Sequence, residues 1–274
     1  MNSYLCVATI GGTDPTGGAG IQADIKTISA TRCYAASIIC ALVSQNTQGV
    51  KSIFQLPPEI IKDQIECVFE DLNIQALKIG MLYNRQNISL VNDLIEYYKP
   101  KRIVIDPVMR AKDNSELSSI DVMNSLSNEL FSKATLITPN AHEAEQLLNT
   151  KITTLTQQKA AAKILGDKFE TNVLIKGGHI KGSQCIDVLY LCSEKSYYLY
   201  SAPRIMTRHT HGTGCCLAAA ITCYLAKGYS VENAVGIAKK YVTEAIQSGS
   251  NKALGKGHGP VEHFYFMNDL ATNE

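Results

Sequence analysis

Short, wholly apolar β-branched runs alternate with amphipathic helical patterns along nearly the whole chain, and this alternation constrains the fold more than any other feature. "LCVATI" (5–10), "SIICALV" (37–43), "ALKIG" (76–80), "RIVID" (102–106), "TLIT" (135–138) and "NVLIK" (172–176) read as strands. Between and around them lie helical patterns at 19–31, 57–72, 86–98, 121–131, 142–148 and 156–169. Strands that are apolar throughout are buried on both faces, as in a parallel sheet covered by helices. A hairpin is expected over 186–201, turning at Ser193-Glu194-Lys195. Two helices (215–227 and 230–248) follow it, then a glycine-rich loop at 249–260. Neither an internal repeat nor a linker divides the sequence, so one α/β domain over residues 1–274 is the economical expectation.

Composition removes several function classes. Lys plus Arg number 26 against 25 Asp plus Glu, a net charge of +1, so there is no basic excess for a nucleic-acid surface. The nine cysteines form no C-x-x-C pair and have no metal-ligand spacing with the histidines, which fits a reducing cytosol. Neither a signal peptide nor a bilayer-length apolar segment is present, and a cytoplasmic protein is expected.

Open α/β sheets bind ligands beyond the carboxyl ends of their strands, and the polar signals fall there. "GGTDPTGGAG" (11–20) connects a strand to a helix through five glycines but is neither a Walker A loop nor G-x-G-x-x-G. Asp24 lies one helical turn beyond it. "SQNT" places Gln45, whose amide offers a donor and an acceptor side by side, at the next strand end. Asp106 ends "RIVID". In "TPNAHEAEQL", Asn140 and Glu143 have capping-box spacing, and they equally suit a Mg²⁺–phosphate site. Lys176 opens "KGGH", either as a phosphate partner or as a turn lysine.

The densest signal is "HGTGCC" (211–216). Gly212, Thr213 and Gly214 leave backbone N–H groups free at a helix start, where the macrodipole also favours an anion. Cys215 stands at that N-terminus, a position that favours thiolate and gives a base or nucleophile. Cys216 shares helical spacing with Ala219, Ala220 and Cys223, and reads as core.

Together, "GGTDPTGGAGIQADIKT", "SQNTQGV", "KIGML", "DPVM", "TPNAHEAEQL", "KGGH", "HGTGC" and "GHGP" resemble, in order, the hydroxymethylpyrimidine/phosphomethylpyrimidine kinases of the ribokinase-like superfamily. The resemblance runs from about residue 10 to 260. It implies a three-layer αβα sandwich with a mostly parallel central sheet, commonly dimeric. It also implies ATP- and Mg²⁺-dependent phosphorylation of 4-amino-5-hydroxymethyl-2-methylpyrimidine and then of its monophosphate, in thiamine biosynthesis. By matching motif, Gln45 and Asp24 would hold the pyrimidine, with Gly12, Met81 and Val108 lining its pocket. Asp106, Asn140 and Glu143 would organise Mg²⁺ and phosphates, and Lys176 would neutralise phosphate charge. Gly212, Thr213 and Gly214 would form the anion hole, and Cys215 would take the hydroxymethyl proton. The chain departs from the pattern in "RAKDNSEL" (110–117), which lacks an expected glycine, and in "SATRCYAAS" (29–37), which lacks the glycines flanking the tyrosine. A cysteine-containing pyridoxal kinase shares this scaffold and is the competing reading. A binding protein that has lost turnover would be expected to have lost Cys215, Asp106 or Glu143, and all three are present.

Overall fold

The computed structural model describes residues 3–109 and 119–270. The departure expected at 110–117 lies outside the described residues. Among the described residues nine strands form one sheet: β1 (Cys6–Gly12), β2 (Tyr34–Asn46), β3 (Gly49–Gln55), β4 (Ile74–Ile79), β5 (Ile103–Ile105), β6 (Leu136–Ile137), β7 (Asn172–Ile175), β8 (Gln184–Leu191) and β9 (Ser196–Pro203). Their spatial order is β3-β2-β1-β4-β5-β6-β7-β8-β9. The run β2-β1-β4-β5-β6-β7 is parallel, while β3, β8 and β9 add antiparallel margins.

Helices cover both faces. On one side α2 (Pro58–Asp71), α3 (Arg85–Tyr98), α4 (Ile120–Leu130), α5 (Ala141–Leu148) and α6 (Leu155–Phe169) bury Ile61, Ile88, Leu130, Ala144 and Leu165 against Ile10, Ile79 and Ile105. On the other, α7 (Thr213–Ala226) and α8 (Val231–Gly249) pack on Val104, Leu136 and Leu174, and α1 (Gly20–Ala30) adds Ala23. The alternation of the central strands between these two cores is what makes their sequences apolar throughout. The expected αβα layering is present.

Local chemistry sets the helix ends. Asn84, Ser119, Asn140 and Thr154 cap α3, α4, α5 and α6 through side-chain oxygens. α7 differs: its N-cap is Gly212, left-handed at φ 77°, with no side-chain cap. The left-handed residue lets the helix start at Thr213, two residues ahead of the sequence expectation.

Three strands differ from the reading of the sequence. β3 pairs antiparallel with β2 in a hairpin that the sequence did not announce, because "GVKSIFQ" is an edge strand with mostly half-buried or exposed side chains. β5 and β6 are only three and two residues long, since the chain leaves the sheet as soon as it reaches the polar residues at their ends. Among the described residues no helix is long and apolar enough to cross a membrane.

Candidate active site

A cavity of about 1290 Å³ opens at the carboxyl ends of the parallel strands, and every site residue singled out from the sequence lines it. Its geometry divides into a charged end and an apolar end.

At the charged end, Asp24 comes from α1, is almost fully buried, and accepts on Oδ2 from Thr9 Oγ1 (2.7 Å) and Lys78 Nζ (2.8 Å). Its Oδ1 is buried without a partner. Burial pushes the Asp24 carboxyl upward and Lys78 pulls against it. For Lys78 burial disfavours the ammonium, but Asp24, Cys215 and Asp106 outweigh it and hold the lysine above its ordinary range. We take the pair as charged, because an ammonium 2.8 Å from a carboxylate stabilises both ions. Gly12, Val43 and Met81 form an apolar wall beside it; a Cβ at Gly12 would lie 2.5 Å from Met81 Cε. Gln45, at the end of β2, and Val108 complete that wall.

The phosphate-binding candidates meet at the centre. Lys176 Nζ lies 2.6 Å from Asp106 Oδ1 and 3.9 Å from Glu143 Oε2. Thr138 Oγ1 also donates to Asp106 Oδ1 (2.9 Å), while Asp106 Oδ2 is buried and unpartnered. Burial works against the Asp106 charge, but Lys176 and Lys78 overcome it and hold the carboxyl below its usual range. Glu143 is the reverse case: burial pushes it up to about 7 despite Lys176. Asn140 and Glu143 do form a capping box, with Glu143 N–H donating to Asn140 Oδ1 (2.9 Å) and Asn140 N–H to Glu143 Oε2 (2.6 Å). The two readings left open from sequence therefore coexist, since both residues also line the cavity.

The start of α7 faces this cluster. A Cβ at Gly214 would lie 3.4 Å from Lys176 Nζ and 3.5 Å from Asp106 Oδ2. The Thr213 N–H turns back to the Thr210 carbonyl at 3.4 Å, and its hydroxyl donates to the same oxygen at 3.1 Å. Of the expected donors Thr213 is thus partly spent on the loop, and the Gly214 and Cys215 N–H groups are the first-turn orphans left for an anion. A side chain at Gly212 would run into the Gly18 carbonyl, so the two glycine loops touch through bare backbone.

The thiolate expected at Cys215 is not its resting state. Burial pushes the thiol up to about 11, outweighing the pull of Lys78 and of the hydrogen bond from Gly20. The helix N-terminus is the correct place, but desolvation dominates there. Cys216 is fully buried as expected, with its sulfur 3.3 Å from His263 Nε2.

Several participants escaped the sequence reading. Asp14 of the first glycine loop receives His211 Nε2 (2.8 Å), Ala19 N–H (2.8 Å), Thr16 N–H (2.9 Å) and Thr16 Oγ1 (2.8 Å), and so binds that loop to the α7 loop. Burial opposes its charge, but His211 and Thr16 hold it below the usual carboxylate range. "GHGP" acquires a role as well. Gly257 N–H donates to Thr47 Oγ1 (3.0 Å) and His258 N–H to the Thr47 carbonyl (2.7 Å), while Gly259 N–H reaches His209 Nδ1 (3.1 Å). The segment thereby joins the "SQNT" turn to the α7 loop.

The apolar end was not foreseen. Ala202, Ile205, Leu217, Val242 and Ile246 line it, with Asp187 and Arg204 at its edge. Asp187 accepts from Gly177 N–H (2.8 Å) and Lys239 Nζ (2.7 Å), and Arg204 donates to the Gly178, Ile180 and Gly182 carbonyls, shaping the loop after Lys176. Among the described residues no group of three or more His, Cys, Asp or Glu could cage a metal ion alone.

Known proteins resemble this chain along most of its length. A family profile described as phosphomethylpyrimidine kinase matches residues 14–262. The hydroxymethylpyrimidine/phosphomethylpyrimidine kinase of Bacillus subtilis is 40% identical over 100% of both chains. A thiamine biosynthesis bifunctional protein of Geobacter sulfurreducens is 39% identical over 96% of this chain, which spans 53% of that longer protein. Among solved structures, an ADP complex of Bacillus subtilis pyridoxal kinase superimposes with a TM-score of 0.88 at 33% identity, covering 99% of this chain and 100% of that one. With a family profile matching residues 14–262 and a relative 40% identical over its whole length, this chain belongs to the phosphomethylpyrimidine kinase family.

Proposed function

We propose that the chain transfers the γ-phosphoryl group of ATP to the hydroxymethyl oxygen of 4-amino-5-hydroxymethyl-2-methylpyrimidine, and then a second phosphoryl group to the resulting monophosphate, as one kinase domain of thiamine biosynthesis. The observation that carries the reading is the order of groups along one cavity. Following the strand order, an apolar wall with Gln45 at the end of β2 and the open oxygen of Asp24 after β1 come first, then Asp106 after β5 and Lys176 after β7, which face the uncapped start of α7 with Cys215, then an apolar cleft with residues of β9, α7 and α8. That sequence accommodates a flat polar ring, a reacting oxygen, a phosphate chain and an adenine in turn.

In this reading the hydroxymethyl proton passes to the thiolate form of Cys215, the minor form of a thiol that burial pushes up to about 11, as the new O–P bond forms and the bond from the γ-phosphorus to the β–γ bridging oxygen breaks. The Gly214 and Cys215 N–H groups and Lys176 hold the charge that spreads over the transferring oxygens. A magnesium ion fits the residues present: Asp106 Oδ2 is a buried carboxylate oxygen without a partner, and Mg²⁺ is bound by one or two carboxylates plus substrate phosphates rather than by a full protein cage. Asp106 and Glu143 would hold it, and it would neutralise phosphate charge. We read the enzyme as a cytoplasmic homodimer. Nine free cysteines support the compartment, and the exposed register pair Leu42 and Phe54 on the β2–β3 hairpin supports the association.

The test is ATP consumption by the purified protein with this pyrimidine, its monophosphate and pyridoxal in parallel, with product masses checked. Turnover of both pyrimidines ahead of pyridoxal is expected. The likeness to pyridoxal kinase favours pyridoxal as a second substrate. Efficient pyridoxal phosphorylation without the second pyrimidine step would replace the reading.

A further inference from the structure

The ring end of the cavity rests on the first glycine loop and α1, and the anion end on the start of α7, so the reaction needs two distant segments held in one alignment. Neither helix is fixed by a cap of its own. The N-cap residues, Ala19 of α1 and Gly212 of α7, make no side-chain hydrogen bond.

Asp14 supplies what the caps lack. Its Oδ2 accepts from the N–H of Ala19, the residue before α1, and from Nε2 of His211, the residue before Gly212, both at 2.8 Å. A carboxylate can only accept, so this bond keeps a proton on His211 Nε2. Oδ1 takes Thr16 N–H (2.9 Å) and Thr16 Oγ1 (2.8 Å), and the Asp14 N–H donates to Gln22 Oε1 on α1 (2.7 Å). Both carboxylate oxygens are thus spent inside the protein. Asp14 is fully buried and is not among the residues that line the cavity, so it has no contact to offer a substrate. His211 is pinned a second time, through its N–H to the Gly259 carbonyl at 3.1 Å. Gly18 leaves room for the imidazole, since a Cβ there would lie 2.7 Å from His211 Cδ2.

One oxygen therefore ties together two helix starts whose tethers are 197 residues apart. Gly214 and Cys215, which carry the free N–H groups and the thiol, come three and four residues after His211. Phosphoryl transfer depends on positioning and charge rather than on covalent help from the protein. A displacement of about 1 Å caused by a change away from the chemistry costs about 10²-fold in rate.

We propose that Asp14 is a positioning residue: through His211 it sets the α7 start against the first glycine loop, and so aligns the acceptor oxygen with the transferring phosphoryl group. The proposal rests on the kinase reading above. Such a brace acts on the transition state, where both partners must be aligned, more than on the binding of either substrate alone.

The experiment measures kcat and KM for the pyrimidine and for Mg·ATP in the full-length wild type, Asp14→Asn, His211→Leu and His211→Gln, with kcat referred to folded protein by circular dichroism. Asp14→Asn sets an amide donor against the Ala19 and His211 donors. It is expected to lower kcat by about 10², with both KM values within about threefold of wild type. His211→Leu is expected to show the same split. His211→Gln carries an amide N–H toward the place of Nε2 and is expected to recover at least about tenfold of that loss. The double variant Asp14→Asn/His211→Leu is expected to lose no more than about threefold beyond either single change, because both break one contact. Should Asp14→Asn fail to fold, His211→Leu against His211→Gln decides the question. A kcat within about threefold of wild type in Asp14→Asn, a KM rise as large as the fall in kcat, or a Gln variant no better than Leu overturns the proposal. If the wild type phosphorylates the pyrimidine and any of those results appears, this inference falls and the kinase reading stands. If the wild type phosphorylates pyridoxal alone, the pyrimidine reading falls, and the same variants decide the brace with pyridoxal as acceptor.

Discussion

The two ends of the cavity are built on opposite principles. The charged end gathers Asp24, Lys78, Asp106, Lys176 and Cys215 from strands and the helices that follow them; Asp24, Lys78 and Asp106 are buried, and Lys176 and Cys215 are half-buried. The apolar end uses Leu217, Val242 and Ile246 from α7 and α8. Buried charges hold one another in place and cannot be removed singly without leaving an unpaired ion. Apolar side chains contribute in small, separable amounts of about 0.8 kcal/mol per buried CH₂. Damage to Cys215, Asp106 or Lys176 should therefore appear in kcat, and damage to the apolar end in the nucleotide KM.

The sharpest way to break this contrast is at Cys215. Cys215→Ala is expected to lower kcat by about 10³, within the range of a lost general base, while Cys216→Ala keeps most turnover because its sulfur lies in the core. Steady-state assays on the pair decide it; the opposite order would remove Cys215 from the chemistry. Next comes Asp106→Asn, which puts an amide donor where Oδ2 is unpartnered. A fall of about 10² in kcat with little change in the pyrimidine KM is expected, measured by initial rates at saturating nucleotide.

The third prediction concerns pH. Burial pushes the Cys215 thiol up to about 11, and a base works only when deprotonated, so the thiolate fraction grows with pH throughout the neutral and mildly alkaline range. The kcat/KM for the pyrimidine should climb steadily between pH 7 and 9, by up to about tenfold per unit. A flat profile there would show that the proton leaves by another route. The apolar end yields the smallest effect: Val242→Ala should raise the nucleotide KM by about tenfold with kcat unchanged, as two lost methylene equivalents imply. If kcat falls instead, the two ends are mechanically coupled and the contrast fails.

How well each end could be read from the sequence follows the same division. Asp106, Asn140, Lys176 and the "HGTG" loop were visible because each directly follows an apolar strand or opens a helix, so local pattern alone put them at the ligand face of an α/β sheet. The apolar end was invisible, since Leu217, Val242 and Ile246 look like any core-facing helical residues. Lys78 lies inside "KIGML" with no local pattern to mark it as half of a buried ion pair. Its partner lies 54 residues away. The Asp14–His211 contact spans 197 residues and has no local signature at all. β3 was missed for a third reason: an edge strand is only half buried and carries no continuous apolar run.

By itself, then, the sequence determined the alternating strands and helices, the parallel sheet, the position of the ligand face and the order of the phosphate-handling motifs, because each follows from short-range hydrophobic periodicity and turn chemistry. The tertiary structure decided which charges are paired, which oxygens of Asp24 and Asp106 stay open, and that Cys215 rests as a thiol. Those properties depend on desolvation and on groups brought together from distant segments, and neither is encoded in local spacing.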